Sequence, residues 1–292
     1  AFFLALEQSG SATAKTGWTP AHLLLERDGE AAGLLPLYAK DHSYGEYVFD
    51  HGWAEAFQRA GGAYYPKLQA SVPFTPAAGR RFLIAGHEDR DTTARQLVAA
   101  AESAVTELGA SSLHITFMSE EEWALAGSCG FLRRTDKQFH WENRGYDSFS
   151  QFLGDLNAAK RKNLRKEREA VLAEGIEFEW RSGSDLTEGV WDAFFACYTE
   201  TGSQKWNPPY LTREFFSRVG ETMGEQILLV IAKQAGRTIG AALNFFDGKT
   251  LYGRNWGCTC YVPFLHFEAC YYQAIDFAIE RKLSRVAAGA QG

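Results

Sequence analysis

An apolar run at Leu23-Leu24-Leu25 meets a turn at Asp28-Gly29, and the chain returns apolar through Gly33 to Tyr38. The pattern recurs at Val230-Ile231-Ala232, with its turn at Gly236 and a second glycine at Gly240 before Phe245. Gly29 and Gly33 thus reappear at an offset of 207 residues. A turn glycine supplies positive φ without a Cβ penalty. The second glycine of each pair lets another backbone approach the returning strand. Two such hairpins so far apart predict one α/β unit used twice; the alternative is two unrelated hairpins of an antiparallel sheet.

The remaining pattern fills in the order of elements. A helix near 1–9 precedes the first hairpin, 22–38, and a helical piece at 53–60 precedes a strand at 67–72 that stops at Pro73. Residues 91–108 form an amphipathic helix in which Asp91 can cap the start and Gly109 ends the run. A strand at 112–117, a short helix at 120–128 closed by Gly130-Phe131, and a strand at 138–142 follow. The second half opens with a long helix, 148–174, then a strand at 176–180 and helices at 186–200 and 212–221. The second hairpin, 227–246, an Asp247-Gly248 turn, a strand at 249–256, a helix at 264–281 and a strand at 285–288 complete it. The division expected is 1–145 and 146–292.

Composition narrows the class. Apolar residues make up 46% and charged residues 23% of 292 positions, as in a soluble globular protein. No apolar run reaches the roughly 18 residues of a membrane span, and no segment reads as a signal peptide. Five cysteines without a Cys-x-x-Cys pair fit reduced thiols, hence a cytoplasmic location. Metal-ligand spacing is absent, so no metal site is expected. A net charge of -6 argues against a general nucleic-acid coat, though not against a local basic site. Because Ala1 falls inside a helical pattern, the chain is expected to be a fragment of a longer protein.

The order of a meander, helix, strand, short helix, Gly-Phe and strand resembles the GNAT acyltransferase fold. The second half resembles the same unit cut off at its fifth strand. Two GNAT-like units joined by a Lys/Arg-rich helix resemble the Fem-type peptidyltransferases. The stretches Lys40 to Asp50, Tyr64-Tyr65-Pro66-Lys67-Leu68-Gln69, Pro73-Phe74-Thr75-Pro76 and His266 to Gln273 are similar to a bacterial Fem-like family labelled peptidoglycan biosynthesis or recognition. The fold class expected is therefore α/β with mixed sheets, in two tandem GNAT-like units. The resemblance implies acyl or aminoacyl transfer to an amine acceptor, small molecule or peptide, such as a peptidoglycan precursor. It implies no tightly bound cofactor, and an aminoacyl-tRNA or acyl-CoA donor. Two rivals stay open: an acetyl-CoA-dependent N-acetyltransferase, and a non-catalytic module that recognises peptidoglycan-type ligands.

Direct attack of an amine on an activated carbonyl needs a proton acceptor, donors near the carbonyl oxygen and a proton source for the leaving group. His42 titrates near neutrality and is a candidate base; Glu46 or Asp50 can serve as base or orient it. Lys40, Tyr44, Tyr65 and Lys67 are candidate acceptor-binding residues. In the second half Arg254, Asn255, His266 and Glu268 are candidate binding residues, and Tyr271 a proton donor. For each, the alternative is an ordinary hydrogen-bonded surface or core residue. Residues 160–169 carry six basic and two acidic side chains. Arg161, Arg165 and Arg168 share a helical face that can meet tRNA phosphates or the pyrophosphate of a lipid-linked precursor, or else is a solvated face laced by ion pairs. A coenzyme A pyrophosphate needs a glycine-rich loop at a helix start. The loop 257–264 offers one glycine and no basic residue, and 77–81 is the only candidate in the first half.

Overall fold

The computed structural model describes residues 1–204 and 209–289. They form two compact units, Leu6–Lys137 and Ala1–Ala5 with Gln138–Gly292. The first helix, α1 (Phe2–Gln8), runs across this division.

In the first unit β1 (Trp18–Pro20) precedes the hairpin β2 (Leu23–Arg27) and β3 (Glu30–Leu35). The chain then forms β4 (Tyr38–Lys40), α2 (His51–Arg59), β5 (Lys67–Ala70), β6 (Leu83–Ile84), α3 (Arg90–Glu107), β7 (Leu113–Ile115) and α4 (Glu120–Ser128). Two sheets result, ordered β2-β3-β6 and β1-β4-β5-β7. Leu35, Leu37, Leu68, Ala70 and Phe82 pack with Leu97, Val98 and Ala101 of α3 in one apolar core. The sequence pattern missed β1, β4 and β6, which are only two or three residues long. Helix α3 begins one residue earlier than expected because Asp89, not Asp91, caps it: the Asp89 carboxylate accepts from the Thr92 N–H at 2.9 Å.

The second unit contains β8 (His140–Glu142), α5 (Phe149–Gly154), α6 (Ala158–Ala173), β9 (Ile176–Arg181), α7 (Glu188–Gln204) and α8 (Arg213–Met223). Strands β10 (Ile227–Gln234), β11 (Arg237–Phe246) and β12 (Thr250–Cys258) form a meander. A helix in three segments follows, α9 (Leu265–Phe267), one π turn (Glu268–Tyr272) and α10 (Gln273–Glu280), and then β13 (Arg285–Ala287). One six-stranded sheet has the order β8-β13-β12-β11-β10-β9, with β12 and β13 parallel. Strand β8 pairs with β13, so the strand expected to close the first domain belongs to the second unit's sheet. The single helix expected over 148–174 is two helices, because the Asn157 side chain caps α6 by accepting from the Lys160 N–H at 2.9 Å.

The two hairpins match in detail. Leu25 pairs with Gly33 and Ala232 with Gly240. A bulge follows at the same place in each, between Leu25 and Glu26 and between Ala232 and Lys233. Both turns hold two residues at positive φ, Asp28 and Gly29 in one, Ala235 and Gly236 in the other. After each hairpin the chain forms an antiparallel pair, a helix and a parallel strand: β4 with β5, α3 and β7 in the first unit, in a sheet separate from β2 and β3, and β11 with β12, the segmented helix and β13 in the second, in the hairpin's own sheet. The close backbone approach expected at the second glycines is found at Gly240, where an added Cβ would lie 3.3 Å from the Gly257 carbonyl oxygen and also meet the Trp256 ring, but not at Gly33, where it would meet the Thr93 and Leu97 side chains of α3. A tighter backbone approach is at Gly257, near the end of β12. A Cβ there would lie 2.2 Å from the Cys197 carbonyl of α7.

Helix α7 cannot retreat from that contact without leaving its aromatic packing, in which Trp191, Phe194 and Phe216 are buried. Gly257→Ala is therefore expected to cost about 1–3 kcal/mol in chemical denaturation. Gly248→Ala, in a turn with nothing within 4 Å of the added carbon, is expected to change stability by less than about 0.5 kcal/mol.

Candidate functional site

The first unit gathers most of its candidate residues on one sheet face. Register places Trp18 opposite Lys40 and Lys40 opposite Lys67, so one indole and two lysines line up across β1, β4 and β5. Gln69 continues the row along β5, with His114 of β7 opposite it. The segment 41–66, between β4 and β5, contributes Ser43, Glu46, Asp50, Tyr64 and Tyr65 over this face. Lys40, Glu46, Asp50, Lys67 and Gln69 are all 3% exposed or less.

Lys67 Nζ donates to Ser43 Oγ at 2.9 Å, to Glu46 Oε2 at 2.7 Å and to Asp50 Oδ2. Its three donors are thereby matched. Tyr64 donates its hydroxyl to the same Asp50 oxygen at 2.8 Å, and Tyr65 and Ser43 share a hydrogen bond of 2.7 Å. Lys40 is less well served. Its Nζ lies 3.7 Å from the centre of the Trp18 ring, 3.3 Å from His42 Nδ1, 3.4 Å from the Tyr44 carbonyl and 4.0 Å from Glu46 Oε1. Burial pushes the Lys40 amine down to about 7, against the pull of Glu46. Burial pushes Glu46 up to about 6, opposed by Lys67. Burial also raises Asp50, but the bonds from Lys67, Ser43 and Tyr64 outweigh it and hold this carboxyl below its usual range. Burial and the Lys67 charge hold His114 down to about 4, so it stays neutral.

His42 is placed differently from the expected general base. Its Nε2 lies 3.1 Å from the Thr16 carbonyl, which only an N–H can satisfy. The other nitrogen, Nδ1, accepts from the Tyr44 N–H at 3.2 Å and faces Lys40. Burial, with Lys40 beside it, lowers its pKa. The ring positions Lys40 rather than offering a lone pair. The oxygens left without a hydrogen bond are Glu46 Oε1 and Asp50 Oδ1. Tyr44 is exposed and rests against the His42 and His51 rings. Sequence reasoning missed Trp18, Ser43, Tyr64, Gln69 and His114. The alternation Lys67, Gln69, Ser71 against Leu68, Ala70, Val72 carried a signal for the polar face of β5.

The second unit holds the other candidates. Arg254 is the extra residue of a bulge in β12: Leu243 pairs with Asn255 and Asn244 with Gly253. Bulges re-aim side chains, and they recur beside active sites. His266 is exposed, with its ring 5.6 to 5.7 Å from those of Trp256, Phe267 and Tyr271. Burial raises the Tyr271 pKa, which keeps its proton in place. Glu268, in the π turn, is buried; its Oε1 accepts from Arg168 at 2.9 Å and from Gln273 at 2.8 Å. Arg168 also donates to Asp276 at 2.7 Å and lies over the Phe149 ring. Arg161, Arg165 and Arg168 are therefore not one outward face. Arg168 is turned into the unit, Arg161 reaches the Gly154 carbonyl at 3.4 Å, and Arg165 is exposed.

The first-half loop considered for a pyrophosphate is occupied from within. The N–H groups of Arg81 and Phe82 donate to the Glu122 carboxylate at 2.7 and 3.2 Å. The buried Arg81 guanidinium is spent on the carbonyls of Ala77, Gly79 and Thr116. In the second half Gly257, the one glycine considered there, lies within β12 against α7, and the loop that follows presents Thr259, Cys260, Tyr261, Pro263 and Phe264 to solvent with no basic residue. Among the described residues no group of three or more His, Cys, Asp or Glu is placed to hold a metal, and no helix is long and apolar enough to cross a membrane.

A hairpin followed by a third strand, a helix and a parallel strand in each unit defines the class: a mixed α/β protein with mixed sheets. The chain belongs to the FemAB-like family, described as peptidoglycan biosynthesis/recognition, whose model matches residues 1–292. Among solved structures it is similar to FemX, at 12% identity over 98% of this chain and 82% of that one, with a TM-score of 0.57. It is also similar to L-PGS from Bacillus licheniformis (10% identity, 98% and 74% covered, TM-score 0.58). A third is the C-terminal domain of a proposed lysylphosphatidylglycerol synthetase from Agrobacterium fabrum (10%, 99% and 79%, 0.56). No curated protein matches its sequence.

Removing the ammonium of Lys67 leaves two buried carboxylates without their shared partner, so Lys67→Met is expected to cost about 3–5 kcal/mol. Lys40 supplies a pH dependence of known sign. Its folded pKa of about 7 lies below the model value of 10.5, so above pH 7 the unfolded chain holds a proton that the folded chain has lost. Stability therefore rises between about pH 7 and 10, by up to about 1.4 kcal/mol per pH unit. Denaturation midpoints of Lys40→Met are expected to lack this rise.

Proposed function

We propose that this chain transfers an acyl group, most specifically an aminoacyl group, from an activated ester to an amine on a peptidoglycan-precursor peptide. The reading rests on the family, on the fold shared with FemX and the lysylphosphatidylglycerol synthetase domain, and on one observation of the site. Of the two places where a GNAT-like unit would cradle coenzyme A, the first is filled by Glu122 on the Arg81 and Phe82 N–H groups, and in the second the one glycine, Gly257, is packed against α7 and no basic residue follows it. The donor is then one held without a pyrophosphate cradle, and an aminoacyl-tRNA fits. A carboxylate oxygen, Glu46 Oε1 or Asp50 Oδ1, is the proton acceptor for the amine. The proton that this carboxylate takes from the amine is then available for the leaving oxygen. Arg161 and Arg165 meet phosphates.

Transfer of a labelled aminoacyl group from aminoacyl-tRNA to a precursor peptide is expected, with no heat of binding to coenzyme A in calorimetry. Binding of coenzyme A together with acetyl transfer would instead establish the N-acetyltransferase reading. Binding of precursor peptide without any transfer would establish the recognition module. The variant with Arg161→Ala and Arg165→Ala is expected to weaken tRNA binding and to reduce the slope of log affinity against log salt by about 2. An unchanged slope removes these two arginines from the tRNA site.

A further inference from the structure

The face formed by β1-β4-β5-β7 is buried and polar, and it is not fully hydrogen-bonded. Trp18 Nε1, Glu46 Oε1, Asp50 Oδ1, Gln69 Oε1 and Ser71 Oγ are buried there without a partner. Isolated orphans of this kind are uncommon in folded proteins, and a group of them marks a place where something polar belongs. Three of the five are oxygens that can only accept.

The donors that might have served them are committed elsewhere. Lys67 gives its N–H groups to Ser43, Glu46 Oε2 and Asp50 Oδ2. Gln69 Nε2 donates to Thr116 Oγ1 at 2.9 Å. Lys40 is 4.0 Å from Glu46 Oε1, beyond hydrogen-bond reach. Tyr64 donates to the other Asp50 oxygen. The charged and titratable groups facing the cluster are Lys40 of β4, Lys67 of β5, His114 of β7, and His42, Glu46, Asp50, Tyr64 and Tyr65 of the covering segment. Burial drives Lys40 toward its neutral form and keeps His114 neutral.

We propose that this face, closed over by residues 41–66, is a binding site for a primary ammonium group, which Glu46 Oε1, Asp50 Oδ1 and Gln69 Oε1 receive through its N–H donors. A primary ammonium has three N–H donors, one for each of the acceptor-only oxygens. An anion finds no such match, since Trp18 Nε1 is the sole donor-only orphan. The site deepens the transfer reading, because it takes the amine of the acceptor. Binding is measured without turnover, so a failure of transfer leaves the site standing and a failure of binding leaves the transfer assay to be judged by itself.

The test titrates the whole chain with methylammonium chloride, and with tetramethylammonium chloride and sodium acetate at equal ionic strength. Methylammonium is expected to raise the Tm and to slow hydrogen exchange across 41–66, while the other two salts do neither. Glu46→Gln removes charge; Gln69→Met removes an acceptor with little change of volume and keeps the test open should the first variant fold poorly. Gln69→Met is expected to weaken methylammonium binding by about 10-fold. Equal effects of methylammonium and tetramethylammonium, stabilisation by acetate alone, or unchanged affinity in a folded Gln69→Met each overturn the site. So does a crystal structure with ordered waters on these three oxygens that methylammonium does not displace.

Discussion

Lys40 and Lys67 stand directly opposite each other on neighbouring strands, buried, on the same face of a sheet. Like charges in that position repel, and a buried charge without a partner is costly. Much of the first unit answers this constraint. The chain between β4 and β5 leaves the sheet for residues 41–66 and brings two carboxylates, two tyrosines and a serine back over the pair. Lys67 takes both carboxylates, and Lys40 is left with a ring face, an imidazole, a carbonyl and a distant oxygen. The two lysines therefore differ: Lys67 is the charged centre of the network, whereas Lys40 lies close to losing its proton at neutral pH. A core built only for stability would use apolar residues here, at little or no loss. Perturbed groups of this kind concentrate at working sites.

The second unit shows what the same architecture looks like without that insertion. Its hairpin has the same register, bulge and turn conformations, yet β11 passes to β12 through residues 247–249 alone. Its β10 and β11 are almost wholly buried and apolar. Its polar cluster is assembled instead on helices, where a π turn carries Glu268 and brings Gln273, five residues on, to the same oxygen as Arg168. An i to i+5 side-chain pair is natural to a π turn, and such turns are frequent at functional sites.

The pairing of the two hairpins was legible because a tight turn and its glycines leave strong local marks. The long elements were legible for the same reason: α3 and the meander of the second unit carry sustained periodicity. Strands β1, β4 and β6 were not, since two or three residues show no period by themselves; β7, equally short, was legible through the alternation of the residues around it, 112–117. The site was legible in part. Lys40, Glu46, Asp50 and Lys67 stood out as polar residues among aromatics, and the structure brings them together. Their burial was not foreseen, because a polar stripe on a strand ordinarily means a solvated face. Nor was the inward turn of Arg168, since helical spacing gives a shared stripe but does not say what acidic residues of a distant segment, here Glu268 and Asp276, will meet it.

Charge counted along a sequence thus overstates charge available at a surface. The same holds for the backbone donors. An N–H pair such as that of Arg81 and Phe82 can take an anion from solution only if no side chain has taken its place, and Glu122 has done so at hydrogen-bond distance. Displacing it would leave a buried carboxylate beside Arg90, 3.9 Å away at its nearest approach, and two backbone donors for the newcomer to satisfy. A pyrophosphate gains little from that exchange. What remains unfilled in the first unit is the opposite kind of group, acceptors without donors. The first unit thus combines filled anion-type donors with a surplus of buried oxygens, and that surplus favours a ligand that arrives with protons on nitrogen.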